Sequence, residues 1–300
     1  MDYFKNQLDQ WADWQAAITS PTVFEALIQQ IYRSENEPFK TPEAVADDFA
    51  AVFSVGSTQI AIFPPMSVTD QTRNRYQTEK FSLGRLARLQ VTAPILLHAG
   101  FIFDQYQFYY VIYRPLIGLS LAEFINTAEP LAKSTVGRQI GTALKQLNTE
   151  VANFNQVDAA VLADQADWSD LGAAFATERQ AYLLAHPVEM THFVHGQLTG
   201  ENIIVTAGKV GFQQFQTAVA APAETELVPL LLQAFKGAPD CLAGLQETLK
   251  LPDLVTSLLI GLLWRADGPA QIRQLITTGQ VTIATLTACL SQLVTTESED

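Results

Sequence analysis

The segment that decides the fold of this 300-residue chain is FVHGQLTGENIIV, residues 193–205. It begins with the β-rich run Phe193–His195, passes through a polar loop and enters a second β-rich run, Asn202–Thr206. A third run, Lys209–Phe215, follows the turn residues Ala207-Gly208. Runs rich in β-branched and aromatic residues on either side of a short glycine turn are typical of a hairpin. The pattern predicts a strand, a loop and a small β-hairpin.

Helical patterns surround this segment on both sides. After Arg114–Leu116, apolar residues recur at helical spacing in a stripe made of Val136, Ile140, Leu144 and Leu147. Beyond the hairpin, further helices are predicted at Glu224–Phe235, Asp253–Trp264, Pro269–Ile276 and Thr282–Leu293. The sequence therefore predicts a helical lobe interrupted by one small hairpin.

The part of the chain before Arg114 has a different pattern. Ala51–Pro64 reads AVFSVGSTQIAIFP, in which a short turn separates two strand-like runs. A helix capped at Thr69-Asp70 is expected to run to Leu89, and the strands Ile95–Phe103 and Gln107–Tyr113 follow. These elements predict a sheet with one inserted helix.

The first fifty residues are predicted to form helices that precede the sheet, because Phe4, Leu8, Trp11 and Trp14 recur at helical spacing. The predicted fold is therefore α+β and two-lobed. Its parts are an N-terminal lobe with a helical prefix (1–115), a helical C-terminal lobe (116–293) and an acidic tail (294–300) expected to be disordered.

Composition excludes several classes of function. Eighteen basic and thirty-one acidic residues leave a net charge of -13, which disfavours nucleic acid and anionic membranes as partners. The apolar stretch Leu254–Trp264 is too short to cross a bilayer, and MDYFKNQLDQW has no signal-peptide core. A soluble, cytoplasmic protein is expected. Cys241 and Cys289 are far apart and the four histidines lack metal-ligand spacing, so no metal site is predicted.

The loop and the order of elements resemble the aminoglycoside phosphotransferase/choline kinase-like family, which has a protein kinase-like fold. The catalytic loop of that family reads His-Gly-Asp-x-x-x-x-Asn. His195, Gly196 and Asn202 match this form, but Gln197 stands at the aspartate position. Gln214 stands where relatives carry a metal-binding aspartate. The likeness covers roughly residues 45 to 235, with a loop and hairpin that are moderately specific.

The resemblance implies a degenerate site, because the two missing aspartates carry the family's chemistry. In relatives the loop aspartate orients or accepts the proton of the attacking hydroxyl. The second aspartate and the loop asparagine hold magnesium against the nucleotide phosphates. The amide of Gln197 is not basic, which forfeits a contribution of about 100- to 10,000-fold from general-base catalysis. The amide of Gln214 is a poor ligand for a hard dication.

The N-terminal lobe shows two further departures from the family. Relatives carry a phosphate-binding lysine on the second strand, and that place is taken by Ala61, which leaves Glu79 as its orphaned partner. The phosphate-covering turn corresponds to Asp47–Ala50, with two carboxylates and no glycine, and negative charge there opposes phosphate binding. The resemblance thus implies a remnant nucleotide cleft that contains Ala61, Glu79 and Gln214.

Several of these residues have alternative interpretations. His195 is expected to support the loop rather than to catalyse, and Asn202 to form loop hydrogen bonds rather than to coordinate a cation. Glu79 is expected to face solvent or to pair with Lys80 or Arg85. Glu226 is expected to stabilise the N-terminus of the next helix.

Two clusters stay open between a structural role and a ligand-binding role. Gln213, Gln214 and Gln216 either bind a neutral polar ligand, such as a sugar or nucleobase, or belong to a decayed site. An aromatic cluster is expected to pack the sheet, with ligand binding as the alternative. It consists of Phe101, Phe103, Tyr106, Phe108, Tyr109 and Tyr110.

The favoured hypothesis is a catalytically inactive pseudokinase that binds a protein or a small polar ligand and needs no cofactor. The alternative is a small-molecule phosphotransferase with a non-standard site, which uses ATP and magnesium. A third possibility, another α+β binding protein, requires that the chain lack a five-stranded sheet beside a helical lobe.

Overall fold

The chain forms two units, Met1–Leu116 and Ile117–Asp300, in a computed structural model. The structure describes residues 3–206, 208–236, 238–251 and 253–296. Each unit has its own buried core.

The first unit is built on a five-stranded antiparallel sheet with the strand order β1-β2-β3-β5-β4. The strands are β1 (Glu43–Val45), β2 (Ala51–Val55), β3 (Thr58–Ile62), β4 (Ile95–Phe103) and β5 (Gln107–Arg114). One helix, α3 (Thr72–Leu89), is inserted between β3 and β4. The predicted sheet with one inserted helix is confirmed, and the possibility that required the absence of a five-stranded sheet is excluded.

The prediction that the first fifty residues are all helical is wrong in two places. Helices occur at α1 (Trp11–Ala17) and α2 (Pro21–Ser34), but residues 43–45 form the edge strand β1. Residues 4–8 are also not helical, because their backbone bonds to the turn between β4 and β5. The Phe4 N–H donates to Asp104 Oδ2 (2.7 Å), and the Leu8 N–H donates to the Tyr106 hydroxyl (2.8 Å).

The sheet buries apolar side chains on both faces. On one face the helices α1 and α2 supply Trp14, Phe24 and Ile28, which pack in one cluster with Phe53 of β2 and Phe108 of β5. A second, smaller cluster gathers side chains from β2, β3, β5 and α3. Its buried members are Phe49, Ala50, Val52, Ala61, Phe63, Tyr76 and Val111.

Helix α3 begins two residues later than expected. Gln71 occupies the N-cap position without a capping side-chain hydrogen bond, so the predicted cap at Thr69-Asp70 is wrong. The Thr72 hydroxyl instead donates to the Pro64 carbonyl (2.8 Å), which ties the first turn of the helix to the end of β3.

The second unit is mostly helical. Its helices are α4 (Leu121–Thr127), α5 (Pro130–Leu147), α6 (Ala159–Gln165), α7 (Ala173–Ala185), α8 (Leu227–Pro229), α9 (Pro239–Leu249), α10 (Leu254–Leu263), α11 (Gly268–Leu275) and α12 (Ile283–Thr296). Helix α8 continues into a π-helical turn at Leu230–Ala234. The predicted stripe of α5 is buried, as expected.

Helix α9 was not predicted, and its packing explains why. Gly244 lies in the middle of this helix, where glycine normally weakens a helical pattern. A Cβ at Gly244 would collide with the Ser134 carbonyl of α5, and one at Gly137 would collide with the Cys241 carbonyl of α9. The glycines therefore let two helix backbones approach closely, a tertiary reason that a local pattern does not reveal.

Among its described residues, the second unit also contains five short strands. The predicted hairpin is confirmed as β8 (Ile203–Thr206) and β9 (Lys209–Phe212), although Ala207 of its turn lies outside the described residues. A third strand, β6 (Leu119–Ser120), pairs with β8. The strand β7 (His192–Val194) pairs with β10 (Val219–Ala221). Together these observations confirm the α+β class.

In the described part of the chain, none of the helices has both the length and the apolar character needed to cross a bilayer. Of the predicted acidic tail, 297–300 lie outside the described residues, while α12 extends to Thr296.

Candidate functional site

The loop between β7 and the turn Gly200–Asn202 is organised around His195, which is fully buried. Its Nε2 lies 2.8 Å from the Gln213 carbonyl, and its Nδ1 lies 3.3 Å from the Gln197 N–H. A carbonyl only accepts and an N–H only donates, so the ring is neutral with its proton on Nε2. Burial lowers the pKa of His195 to about 4. Both nitrogens therefore serve the loop, and neither is available to a substrate.

Gln197 is exposed, while its backbone carbonyl holds the rest of the loop. This carbonyl accepts the side-chain amide of Asn202 (2.8 Å) and the N–H of Thr199 (2.9 Å). The exposed side chain of Gln197, the position that the resemblance assigns to a catalytic aspartate, thus presents an amide from a loop held by these hydrogen bonds.

Asn202 is 5% exposed, and its side-chain nitrogen is used within the loop. Its Oδ1 accepts no hydrogen bond from the described residues. The Asn202 carbonyl accepts the Gln213 N–H (3.1 Å), and the Gln213 side-chain amide donates to the Glu201 carbonyl (3.2 Å). Gln213 is therefore engaged in holding the loop against the end of β9.

Gln214 has a left-handed backbone, with φ 63° and ψ 62°. Asparagine and aspartate tolerate this conformation better than a glutamine does. The adjacent Gln216 is half-buried like Gln213 and Gln214. The three amides that the sequence analysis singled out are thus close along the chain, and Gln213 is tied to the loop.

Glu226 connects the loop to the start of α8, where it occupies the N-cap position, and its stabilisation of the helix N-terminus stays a prediction. Its side chain makes no capping hydrogen bond at α8. Instead, its Oε2 accepts the N–H of His195 at 2.5 Å. Glu226 is 1% exposed, and burial raises its pKa to about 7, although the His195 N–H and the charge of Arg265 oppose the shift.

Arg265 is a site residue that sequence reasoning missed. Its NH1 donates to the carbonyls of Gly196 (3.1 Å) and Thr225 (3.2 Å), and its Nε and NH2 pair with Asp267 (2.7 and 2.9 Å). It therefore clamps the loop to the turn before α8. Gly196 and Arg265 are 69 positions apart, and no local motif links them.

The two buried titratable groups of the loop are expected to oppose each other in the pH dependence of stability. The folded pKa of Glu226, about 7, lies above its ordinary value of 4.5, so the folded state binds the extra proton and stability falls as pH rises from 4.5 to 7. The folded pKa of His195, about 4, lies below 6.5, so the unfolded state binds the extra proton and stability rises over this interval.

Glu226→Gln should therefore leave a stability that increases with pH between 4.5 and 6.5, by at most about 1.4 kcal/mol per pH unit. His195→Gln should leave a stability that decreases as the pH rises over the same interval. Urea unfolding of both variants and of the wild type at three pH values measures this, and the wild type corrects for all other groups. Parallel curves for the two variants would contradict the assignment.

In the first unit, Ala61 of β3 is 3% exposed and belongs to an apolar cluster. Its register partners are Val52 on β2 and Val111 on β5. Nothing at this position offers a positive charge to a phosphate.

Glu79 is 5% exposed on the buried face of α3, so the expectation that it faces solvent is wrong. Burial, with the charges of Glu79 and Asp47, raises the pKa of Tyr113 on β5.

In the turn between β1 and β2, two backbone N–H groups donate hydrogen bonds to a carboxylate of the same turn. Asp47 Oδ1 accepts the N–H groups of Phe49 (2.8 Å) and Ala50 (2.6 Å). Burial raises the pKa of Asp47, and the two N–H groups counteract the shift. The guanidinium of Arg75, which the sequence analysis did not single out, lies 4.0 Å from the centre of the Phe49 ring. Asp48 is exposed.

The aromatic cluster is only partly a packing feature. Phe108 and Tyr110 are buried in the core, and Tyr106 and Tyr109 pack against it. Phe101 and Phe103 on the edge strand β4 are 54% and 68% exposed. For these two, sheet packing is an incomplete explanation.

The residues of this site do not fit a magnesium ion. Asn202 and Gln214 offer only neutral amide oxygens, whereas Mg²⁺ is normally bound through one or two carboxylates. Over the described ranges, no group of three or more His, Cys, Asp or Glu side chains is arranged to hold a metal ion.

No protein-family model and no curated protein matches this sequence. Solved structures do match. The GDP complex of wild-type aminoglycoside 2'-phosphotransferase-IIIa is 15% identical, with 93% of this chain and 98% of that chain covered and a TM-score of 0.64.

Two further solved structures also match. A choline/ethanolamine kinase family protein from Mesorhizobium loti is 14% identical (87% and 89% covered, TM-score 0.55). The amicoumacin kinase hAmiN, in complex with AMP-PNP and Ca²⁺, is 12% identical (90% and 93% covered, TM-score 0.57). These likenesses establish the fold: the chain has the protein kinase-like fold of aminoglycoside phosphotransferases and choline kinase-like proteins.

Proposed function

We propose that this protein is a pseudokinase: it keeps the phosphotransferase fold, does not transfer phosphoryl groups, and acts by binding a protein or a small polar ligand. One observation carries the proposal. Both ring nitrogens of His195 and the side-chain nitrogen of Asn202 are hydrogen-bonded within the loop, while the two positions that bear carboxylates in the family bear the amides of Gln197 and Gln214.

Neither Gln197 nor His195 can accept the proton of an attacking hydroxyl. The Gln197 amide is not basic, and His195 is buried with both ring nitrogens engaged. General-base catalysis contributes about 100- to 10,000-fold in enzymes that use it. The arrangement of the loop supports the loss of this contribution.

The first unit supports the same proposal independently. Backbone N–H groups of a turn are the usual donors to an anion such as phosphate. Here the N–H groups of Phe49 and Ala50 already donate to the Asp47 carboxylate, and Ala61 supplies no lysine. A phosphate group would have to displace a carboxylate from these amides.

The alternative function is an ATP- and magnesium-dependent small-molecule phosphotransferase with a non-standard site. One observation favours it: Asn202 Oδ1 is buried and accepts no hydrogen bond from the described residues, so it is available to a cation. Under either function we propose a cytoplasmic protein, and the net charge of -13 disfavours nucleic acid and anionic lipid as partners.

Restoring the two carboxylates tests the proposal. Thermal unfolding of the wild type should not respond to millimolar ATP and Mg²⁺, because no carboxylate holds the metal. If the loop is otherwise intact, Gln197→Asp/Gln214→Asp should be stabilised by ATP and Mg²⁺ together. A ligand at about 100 times its Kd adds about 2.7 kcal/mol to the free energy of unfolding.

The matched control is Gln146→Asp/Gln246→Asp, which makes the same charge change at two exposed helical positions. It should not respond to the nucleotide. A magnesium-dependent response of the wild type, equal to that of the restored variant, would contradict the proposal and favour the alternative.

A further inference from the structure

A cavity of about 480 Å³ lies in the first unit, along the polar side of α2. Ala26, Gln29, Gln30 and Arg33 line it, and their spacing of three and four positions places them on one face of the helix. Glu37, which follows the helix, lines the same cavity. We name it the α2 pocket. Its volume falls in the range of about 300–1,000 Å³ that is usual for small-molecule sites.

Two aromatic residues, Tyr3 and Phe39, line the α2 pocket from the segments before and after the helix. Tyr3 directly precedes Phe4, whose buried ring packs against Phe24 of α2 at a centroid distance of 5.1 Å. Phe39 packs edge-on against the buried Tyr32 of α2 at 6.3 Å. Both aromatic residues are therefore held beside the helix, where they add apolar surface to a pocket that is otherwise lined mainly by polar side chains.

The polar side chains that α2 contributes are available to a ligand. Gln29 and Arg33 are exposed, and Gln30 is half-buried. Within the described ranges, none of the three side chains forms a hydrogen bond or an ion pair with another residue. A guanidinium presents a planar fork of donors that binds a carboxylate through two parallel hydrogen bonds. Arg33 is thus an accessible partner for a ligand carboxylate.

Glu37 supplies the opposite charge. Its side chain is 25% exposed, and its Oε1 lies 2.9 Å from His98 Nε2, while Oε2 accepts no hydrogen bond from a described residue. Glu35 Oε2 lies 3.0 Å from Nδ1 of the same imidazole. One imidazole carries at most one positive charge, so it cannot neutralise two ionised carboxylates. Arg33 and Glu37 are not paired with each other, and the pocket therefore offers one cation and one anion.

We infer that the α2 pocket binds a zwitterionic amino acid with an aromatic side chain. The ligand carboxylate pairs with Arg33, its ammonium group donates to Glu37, and its ring packs on the two aromatic residues. Charge-assisted hydrogen bonds are roughly twice as strong as neutral ones, so a ligand with both charges is preferred over one with hydroxyl groups. A neutral sugar would leave both charges of the pocket without a partner.

This inference does not rest on the proposed function. All seven residues that line the α2 pocket belong to the first unit. Ala61, Asp47 and the loop of His195, on which the pseudokinase proposal depends, are not among them.

The test uses phenylalanine and two analogues that each lack one of its charges. 2-Phenylethylamine lacks the carboxylate and 3-phenylpropanoate lacks the ammonium group, while both keep the ring. Amines and carboxylates of these types are ionised at pH 7. In ligand-observed NMR titrations of the full-length protein at this pH, phenylalanine is expected to bind about tenfold more tightly than either analogue, a difference of about 1.4 kcal/mol.

Two charge variants assign the two polar contacts. Arg33→Gln should remove the preference for phenylalanine over 2-phenylethylamine, because these two ligands differ in the carboxylate. Glu37→Gln should remove the preference for phenylalanine over 3-phenylpropanoate, because these differ in the ammonium group. The control is Arg88→Gln, which removes an exposed arginine of α3 and should change neither preference.

A further variant fills the pocket. Ala26→Trp places a large ring at a small, exposed position of α2 and should abolish binding of phenylalanine. Ala87→Trp makes the same change at an exposed position of α3 and should have no effect. Circular dichroism verifies that both variants are folded, and the two charge variants test the inference without any change in volume at Ala26.

Phenylalanine binding that is no tighter than that of the analogues would overturn the inference, as would binding that survives Ala26→Trp or the absence of phenylalanine binding to the wild type. Tighter binding of methyl β-glucoside than of phenylalanine would indicate a sugar site and would overturn it as well. No nucleotide is present in these titrations. Their failure therefore leaves the pseudokinase proposal intact, and phosphoryl transfer by the protein would not affect their interpretation.

Discussion

Replacing Trp14 by alanine is expected to lower the free energy of unfolding of the first unit by about 3–5 kcal/mol, the usual cost of removing a buried aromatic side chain. Trp14 is fully buried and packs edge-on against Phe24 at a centroid distance of 5.6 Å. Its Nε1 donates to the Phe49 carbonyl (2.8 Å), which joins the helical prefix to the turn before β2. Urea unfolding followed by circular dichroism measures the loss.

Two matched variants divide this effect into its causes. Trp14→Phe keeps most of the apolar volume but loses the hydrogen bond to Phe49, and should cost about 1–3 kcal/mol. Trp11→Ala removes a partly exposed indole from the same helix and should cost clearly less than Trp14→Ala. If Trp11→Ala were the more damaging change, the placement of Trp14 in the core of the first unit would be wrong.

Replacing Gly196 by alanine is expected to disrupt the loop of His195. Gly196 has φ +84°, a conformation that disfavours a Cβ by about 1–2 kcal/mol. An added Cβ would also lie only 2.5 Å from the Thr217 carbonyl oxygen, which is backbone and cannot rotate away. This overlap should add about 1–3 kcal/mol. The free energy of unfolding, measured in urea, should fall by the sum of the two.

Gly279→Ala is the control for the conformational cost. Gly279 has the same φ of +84°, and an added Cβ there meets nothing within 4 Å. The free energy of unfolding of Gly279→Ala should fall only by the conformational cost of about 1–2 kcal/mol. Equal losses in the two variants would show that the contact with Thr217 does not constrain the loop.

The local patterns in the sequence predict most of the fold. The alternating strands of the first unit and the apolar stripe of α5 are periodic signals carried by their own residues, and both are confirmed. The three residues of β1 are mostly exposed and carry no apolar alternation. Residues 4–8 show helical spacing, but Asp104 and Tyr106, about a hundred positions away, take their backbone N–H groups. Such tertiary partners override a local pattern.

In the candidate site, too, local motifs reveal some residues, and only tertiary contacts reveal the others. His195, Gln197 and Asn202 were found because they lie in one continuous motif. Arg265 was missed because its partners, Gly196 and Thr225, are distant in sequence and accept through backbone carbonyls, which any residue type provides. The hydrogen bond from the His195 N–H to Glu226 was missed for the same reason, since the donor is a backbone group.

Isothermal titration of ATP into the wild-type protein, with and without magnesium, tests the central claim most directly. The absence of carboxylates at Gln197 and Gln214, together with the Asp47 carboxylate on the Phe49 and Ala50 amides, predicts no magnesium-dependent binding at micromolar concentrations. Micromolar, magnesium-dependent binding of ATP would contradict the claim that this kinase fold has lost its phosphotransfer site.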